Sequence, residues 1–186
     1  MGDYAGSHAA DCEDDTLNMN DIRMVTQERV DIRMISVLQI RKLRAHILRP
    51  GQAPEMSAYL GDYAPDTLHL GAFKQRQLVG IASIMHQAPK DFIGSHSDKL
   101  WLLRGMATLP EVRGQGYGTA LVRSGCAYAA LERGLYLWCN GRESAMGFYE
   151  KLGFVIRGDR FELPDTGPHY RFWRELSPSD AAYAPY

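Results

Sequence analysis

"LRGMATLPEVRGQGYGTALV", residues Leu103 to Val122, places glycines at 114, 116 and 118 between a strand-like apolar run and a helix-like one. Glycine in the first turn of a helix costs about 1 kcal/mol against alanine, so three in alternation suggest that something approaches the main chain closely. The first amide N–H groups of a helix have no partner within it, and the peptide dipoles add about half a positive charge there. The visitor that fits is an anion such as phosphate, with Arg113 beside it. A tight strand-to-helix turn accounts for the glycines equally well. The loop is not a P-loop, because the lysine and hydroxyl of GxxxxGK[ST] are absent, and it is not a Rossmann fingerprint, because a glycine is missing at Thr119.

Outward from the loop, the apolar periodicities lay out a mixed sheet. "KLWLLRGMA" reads as the strand before the loop, and "TLHLGAF" and "LVGIASIMH", separated by "KQRQ", as an antiparallel hairpin before that. In "RVDIRMIS", Val30, Ile32 and Met34 alternate with Asp31 and Arg33 as in a half-buried strand. Ser36 and Gln39 have capping-box spacing, and Val37, Ile40, Leu43 and Ile47 then recur at helical spacing up to Pro50-Gly51. "APEMSAYLGDYAPD" is loop with one short helix. After the glycines, Leu121, Tyr128 and Leu131 share a helix face, with Gly134 as the stop. "LYLWC" is a buried strand, "ESAMGFYEKLG" a helix ending at Gly153, and "FVIR" and "HYRFWREL" are closing strands.

A chain of 186 residues is one domain's worth and buries a core without disulfides or metals. The folded domain is expected over 25–176, with a tail over 177–186. Residues 1–24 are acidic, lack apolar periodicity and are expected to be disordered. A net charge of -1 gives no electrostatic case for nucleic acid or an anionic membrane. Neither a signal peptide nor a run long enough to span a bilayer is read in the sequence. Cys12, Cys126 and Cys139 are too scattered for a disulfide framework or a paired CxxC zinc site, so no metal is expected and a cytoplasmic location is.

One ordered set stands out: "GMATLPE", then RxxGxG over Arg113, Gly116 and Gly118, then "AMGFYEKLGF" some thirty residues on. Together these resemble the GNAT superfamily of acyl-CoA-dependent N-acyltransferases, over about Val25 to Leu176. The resemblance implies an α/β (α+β) fold, a mainly antiparallel sheet flanked by helices and splayed at its central strands. It implies acetyl-CoA as acyl donor, its pyrophosphate held by the backbone of Arg113, Gly114, Gln115, Gly116, Tyr117, Gly118 and Thr119. The pantetheine arm would pair with the main chain of Met106, Ala107 and Thr108, one of whose N–H groups would polarise the thioester carbonyl.

Tyr149 matches the tyrosine that many members place beside the thioester sulfur as a general acid; cleft packing is its other reading. Where many members carry an asparagine, seven residues before this tyrosine, the chain has Arg142, with Asn140 two residues earlier, and either is a cofactor contact by position. The strand-end glutamate base of some relatives is replaced by Leu137 and Trp138. Glu162 and His169, on the last connection, are candidates for that base, each also readable as an ordinary strand residue. Cys139 reads as a small buried hydrophobe, so no covalent acyl-enzyme is expected. The function implied is acetyl transfer by direct attack of a small-molecule or peptide amine in a ternary complex, by a monomer or homodimer. The alternative is a CoA-binding sensor or interaction module of the same fold.

Overall fold

The computed structural model describes residues 30–164 and 166–183, so the expectation for residues 1–24 lies outside the described part. The chain runs β1 (Asp31–Met34), α1 (Val37–Leu48), β2 (Leu68–Lys74), β3 (Gln77–His86), β4 (Leu100–Thr108), α2 (Tyr117–Leu131), β5 (Tyr136–Arg142), α3 (Met146–Glu150), β6 (Val155–Ile156), β7 (Phe161–Leu163) and β8 (Gly167–Glu175). All the strands form one sheet in the order β1-β2-β3-β4-β5-β8-β6, with β7 also paired to β8. Among the described residues β4 and β5 form the one parallel pair; the other pairs are antiparallel. This is the mainly antiparallel α/β sheet expected from the sequence.

Helix α1 starts where the capping box places it: the Gln39 N–H donates to Ser36 Oγ at 3.3 Å and the Ser36 N–H to Gln39 Oε1 at 3.0 Å. Its apolar stripe lies on one face of the sheet, where Ile40 meets Ile81 and Ala107. Helix α2 covers the opposite face, burying Leu121, Val122 and Cys126 against Ile84, Leu103, Leu137 and Phe172. Fully burying one such aliphatic side chain contributes about 1.5–3 kcal/mol, so the two faces of the sheet hold most of the stability.

Several local expectations shift. Val30 and Ile32 pack on the core, but Met34, at the outer edge, is 69% exposed. Half of the "KQRQ" linker is strand: Lys74 pairs with Gln77, leaving Gln75 and Arg76 as a two-residue turn at φ of 48° and 70°. At the end of α2 the left-handed position is taken by Arg133, at φ 59°, one residue before Gly134, and Leu131 is exposed. Strand β7, too short to show a period, was not expected. The segment expected as a tail is instead folded over Pro178–Tyr183, a 3-10 turn against α2. There Arg174 pairs with the buried Asp180 and donates to Cys126 Sγ at 3.3 Å.

Candidate active site

The parallel pair at the centre of the sheet is short. Leu100, Trp101 and Leu102 pair with Tyr136, Leu137 and Trp138, and there the pairing stops. Beyond it β4 continues to Thr108 held only by β3, and β5 continues to Arg142 held only by β8. The two strands part into a V whose inner main-chain edges lack a strand partner among the described residues. A bulge accompanies the parting: Ser83 faces Arg104 and Ile81 faces Ala107, so β4 carries one extra residue there. Gly105 supplies the bend at φ +61°, and a Cβ on it would meet the Tyr59 ring at 3.1 Å and Arg44 Nε at 3.2 Å.

Past the end of β4, the chain turns through Pro110–Val112 into the glycine loop. Gly114 and Gly116 take φ of +75° and +88°, a region in which L side chains are strained, and a Cβ on either would meet nothing within 4 Å. Gly116 is the N-cap of α2, and among the described residues no side chain caps that helix or fills the space beside Gly116. Gln115 is tied down by its own side chain, which donates to the Glu111 carbonyl at 2.7 Å and accepts from Lys74 Nζ at 3.1 Å. Lys74 thereby joins the exposed Arg113 at the loop. No sequence signal marks Lys74, because the β2–β3 turn reaches the loop only through the sheet. Thr119, Tyr117 and Gly118 are half-buried in the first turn of α2, and a Cβ at Gly118 would rest 3.4 Å from Phe148 of α3.

Strand alternation sorts the remaining candidates onto two faces. Cys139, opposite Phe172, belongs to the α2 face, and so does Tyr149, whose ring stacks on Phe172 with centroids 4.8 Å apart. The Tyr149 hydroxyl lies near the Cys139 thiol, beside the apex of the V. Burial pushes the Tyr149 phenol well above its ordinary range, and the adjacent Cys139 sulfur adds to the effect. Burial likewise pushes the Cys139 and Cys126 thiols up to about 12, so neither is a thiolate at neutral pH.

Asn140 and Arg142 lie on the other face, opposite Arg171 and His169. His169 is 5% exposed; its Nδ1 lies 2.8 Å from the Gly167 carbonyl, which can only accept. The proton of the neutral ring is therefore on Nδ1 and the lone pair on Nε2. Glu162 is not brought to this face. It pairs in register with Pro168, one residue out of step with His169, and its exposed carboxylate bonds Arg160 at 3.0 Å. Met106 and Thr108 are half-buried and Ala107 is buried along the free edge of β4.

The α1 face also carries a buried polar cluster that periodicity did not flag. Arg44, fully buried inside a helix stripe that reads as apolar, donates to Asp62 at 2.6 and 3.1 Å, to the Ser57 carbonyl at 2.9 Å and to Ser83 Oγ at 3.0 Å. Burial opposes ionisation of Asp62, but the Arg44 guanidinium and the Tyr59 amide outweigh it and hold the carboxyl below its ordinary range. A cavity of about 490 Å³, lined by Phe92, Leu100, Tyr136, Arg171 and Trp173 among others, opens elsewhere on this face, away from the glycine loop.

The family model of the acetyltransferase (GNAT) domain matches residues 65–156. Over 151 residues the chain is 34% identical to the uncharacterized N-acetyltransferase YitI of Bacillus subtilis (strain 168), a match covering 81% of this chain and 99% of that protein. A second relative is the peptidyl-lysine N-acetyltransferase YjaB of Salmonella typhimurium, 31% identical over 118 residues, 62% of this chain and 69% of that one. Among solved structures, Ard1 from Thermoplasma volcanium shares the fold with a TM-score of 0.62 at 19% identity, over 78% of this chain and 97% of its own. An aminoglycoside 6'-N-acetyltransferase complexed with coenzyme A does so at 0.58 and 17%, over 79% and 97%. With its sheet split at the β4–β5 pair and its glycine loop at the head of α2, the chain is an acetyltransferase belonging to the GNAT family.

Proposed function

We propose that the protein moves an acetyl group from acetyl-CoA to a primary amine by direct attack within a ternary complex. The observation that carries this reading is the continuity of the free β4 edge with the uncapped start of α2: one open strand of main chain leads to one ready-made anion site. The thioester donor supplies an activated acyl carbon; the rest of the chemistry falls to the chain.

The backbone amides from Arg113 to Thr119 hold the pyrophosphate, with Lys74 and Arg113 adding charge. The edge of Met106, Ala107 and Thr108 receives the pantetheine arm as an added strand, and one of its N–H groups polarises the carbonyl. Tyr149, protonated at neutral pH, hands its proton to the departing sulfur. On the opposite face Asn140 and Arg142 line the acceptor side, and His169 Nε2 takes up the proton of the amine through water. That proton matters: an alkyl ammonium is neutral only about one part in a thousand at neutral pH, a cost of roughly 4 kcal/mol. Glu162, engaged with Arg160 in solvent, has no part. The two buried thiols accord with a cytoplasmic home.

The test is release of free CoA from acetyl-CoA against a panel of amines, with the acetylated product identified by mass spectrometry. Amine-dependent release with stoichiometric product is expected. Tight acetyl-CoA binding without amine-dependent release would assign the chain to CoA sensing instead.

A further inference from the structure

Among the described residues the Arg104 guanidinium, on the α1 face, has no counter-ion. Arg104 is the first β4 residue past the last β4–β5 pair that points to this face, and it shares the face with Ser83 through the β3–β4 register. Continuing the parallel register by two residues from Leu102 and Trp138 sets Arg104 and Asn140 on the two sides of the V. The guanidinium is half-buried and lies 4.1 Å from the centroid of the Tyr59 ring, whose other contact of this kind is Arg44 at 3.9 Å. Among the described residues Arg104 has neither a hydrogen bond nor an ion pair.

Its neighbours cannot supply one. The carboxylate of this cluster, Asp62, is fully buried and spent on Arg44 and on the Tyr59 amide, at 2.7 Å from the latter. Arg44 and Arg49 bring further positive charge, and burial together with that charge pulls the Arg104 guanidinium below its ordinary range. A partly desolvated, always-charged fork with five donors and no acceptor is costly unless an anion meets it. The Tyr59 ring holds the guanidinium in place, so the group is positioned before anything arrives. The anion is not the CoA pyrophosphate: from Arg104 to Thr108 the strand runs about 13 Å, and the glycine loop lies further still.

Given acetyl transfer at this cleft, we propose that the acceptor is a small amine bearing a carboxylate, and that Arg104, braced by Tyr59, receives that carboxylate and sets which amines are acetylated. A bidentate guanidinium–carboxylate contact would orient the amine toward the β4 edge where the carbonyl is polarised. A neutral or cationic amine would leave Arg104 desolvated and unpaired, which is discrimination by an unmet charge rather than by shape.

The experiment compares amino acids with their own carboxamides as acceptors, side chain by side chain, with rates referred to the free-amine concentration at each pH. The full chain is expected to prefer the carboxylate form by about 10- to 100-fold in kcat/KM, chiefly through KM. Arg104→Gln should erase the preference while leaving the acetyl-CoA Kd unchanged, and Arg104→Lys, which keeps a charge without the fork, should retain part of it. Acetylation of acids and amides with equal kcat/KM overturns the inference and leaves acetyl transfer standing. A preference that survives intact in Arg104→Gln overturns the role of Arg104. Failure to bind acetyl-CoA or to acetylate either form sinks the acetyl-transfer reading, and this inference with it.

Discussion

Gly116 does two things at once. Its φ of +88° excludes a side chain at little cost only for glycine, and the empty space beyond its Cα is where an anion would meet the α2 amides. Gly116→Val should weaken acetyl-CoA binding by at least tenfold in calorimetry and lower stability by about 1–3 kcal/mol, the strain of a branched residue in that region. A folded valine variant with wild-type affinity would reduce the loop to a plain turn. Tyr149 is argued from its proton. Its phenol, held above the ordinary range, keeps that proton beyond pH 10, so kcat should show no basic limb due to Tyr149 between pH 7 and 10. Tyr149→Phe keeps the ring stacked on Phe172 and should lower kcat by about a hundredfold with little change in acetyl-CoA Kd. Unchanged turnover would leave the hydroxyl as a packing group beside Cys139. The loop and this tyrosine were legible in the sequence because both sit in a local motif, with spacing that depends on a single turn or helix. Lys74 and Arg104 were not, because what makes each of them notable is a loop residue distant in sequence, Gln115 and Tyr59.

At the scale of elements, α1 is tied to the loop before β2 by the Arg44–Asp62 pair, both side chains fully buried, and to the sheet by the Arg44–Ser83 bond. Asp62→Asn strands a buried guanidinium and should cost about 3–5 kcal/mol, whereas Arg44→Met with Asp62→Leu should cost less than Asp62→Asn alone. The folded-state carboxyl titrates below its unfolded value, so the pair's contribution is complete above the ordinary carboxylate range near pH 4. It is lost as pH falls through the lower, folded value. Urea midpoints measured from pH 7 down to 3 should therefore fall more steeply for wild type than for Asp62→Asn. The β2–β3 turn offers the opposite direction: Gln75 and Arg76 hold positive φ without glycine, so replacing them with Asn-Gly should add about 1 kcal/mol, or 2–4 °C in Tm.

For the whole molecule, the segment after Leu176 is structural. Arg174 sits between Asp180 and Cys126 under α2, and Ser177 caps the same carboxylate with its N–H at 2.9 Å. A chain ending at Leu176 should unfold at a clearly lower temperature, because a partly buried guanidinium loses its partner and one flank of α2 is exposed; an unchanged melting curve would show the segment to be dispensable. The sequence by itself determined the order of elements, the capped start of α1, the glycine loop and the family, since all of these rest on periods and spacings within a few turns of chain. It overlooked β7 and took Pro178–Tyr183 for a tail, because short segments are stabilised by what they pair with rather than by their own pattern. Only the tertiary structure decided which face each side chain serves. A shift of one residue in strand register exchanges the two faces, and the register here is set by contacts between distant strands. That is why Glu162 and His169 looked equivalent in the sequence yet part company in the fold, and why an arginine in an apolar strand became the group that awaits an anion.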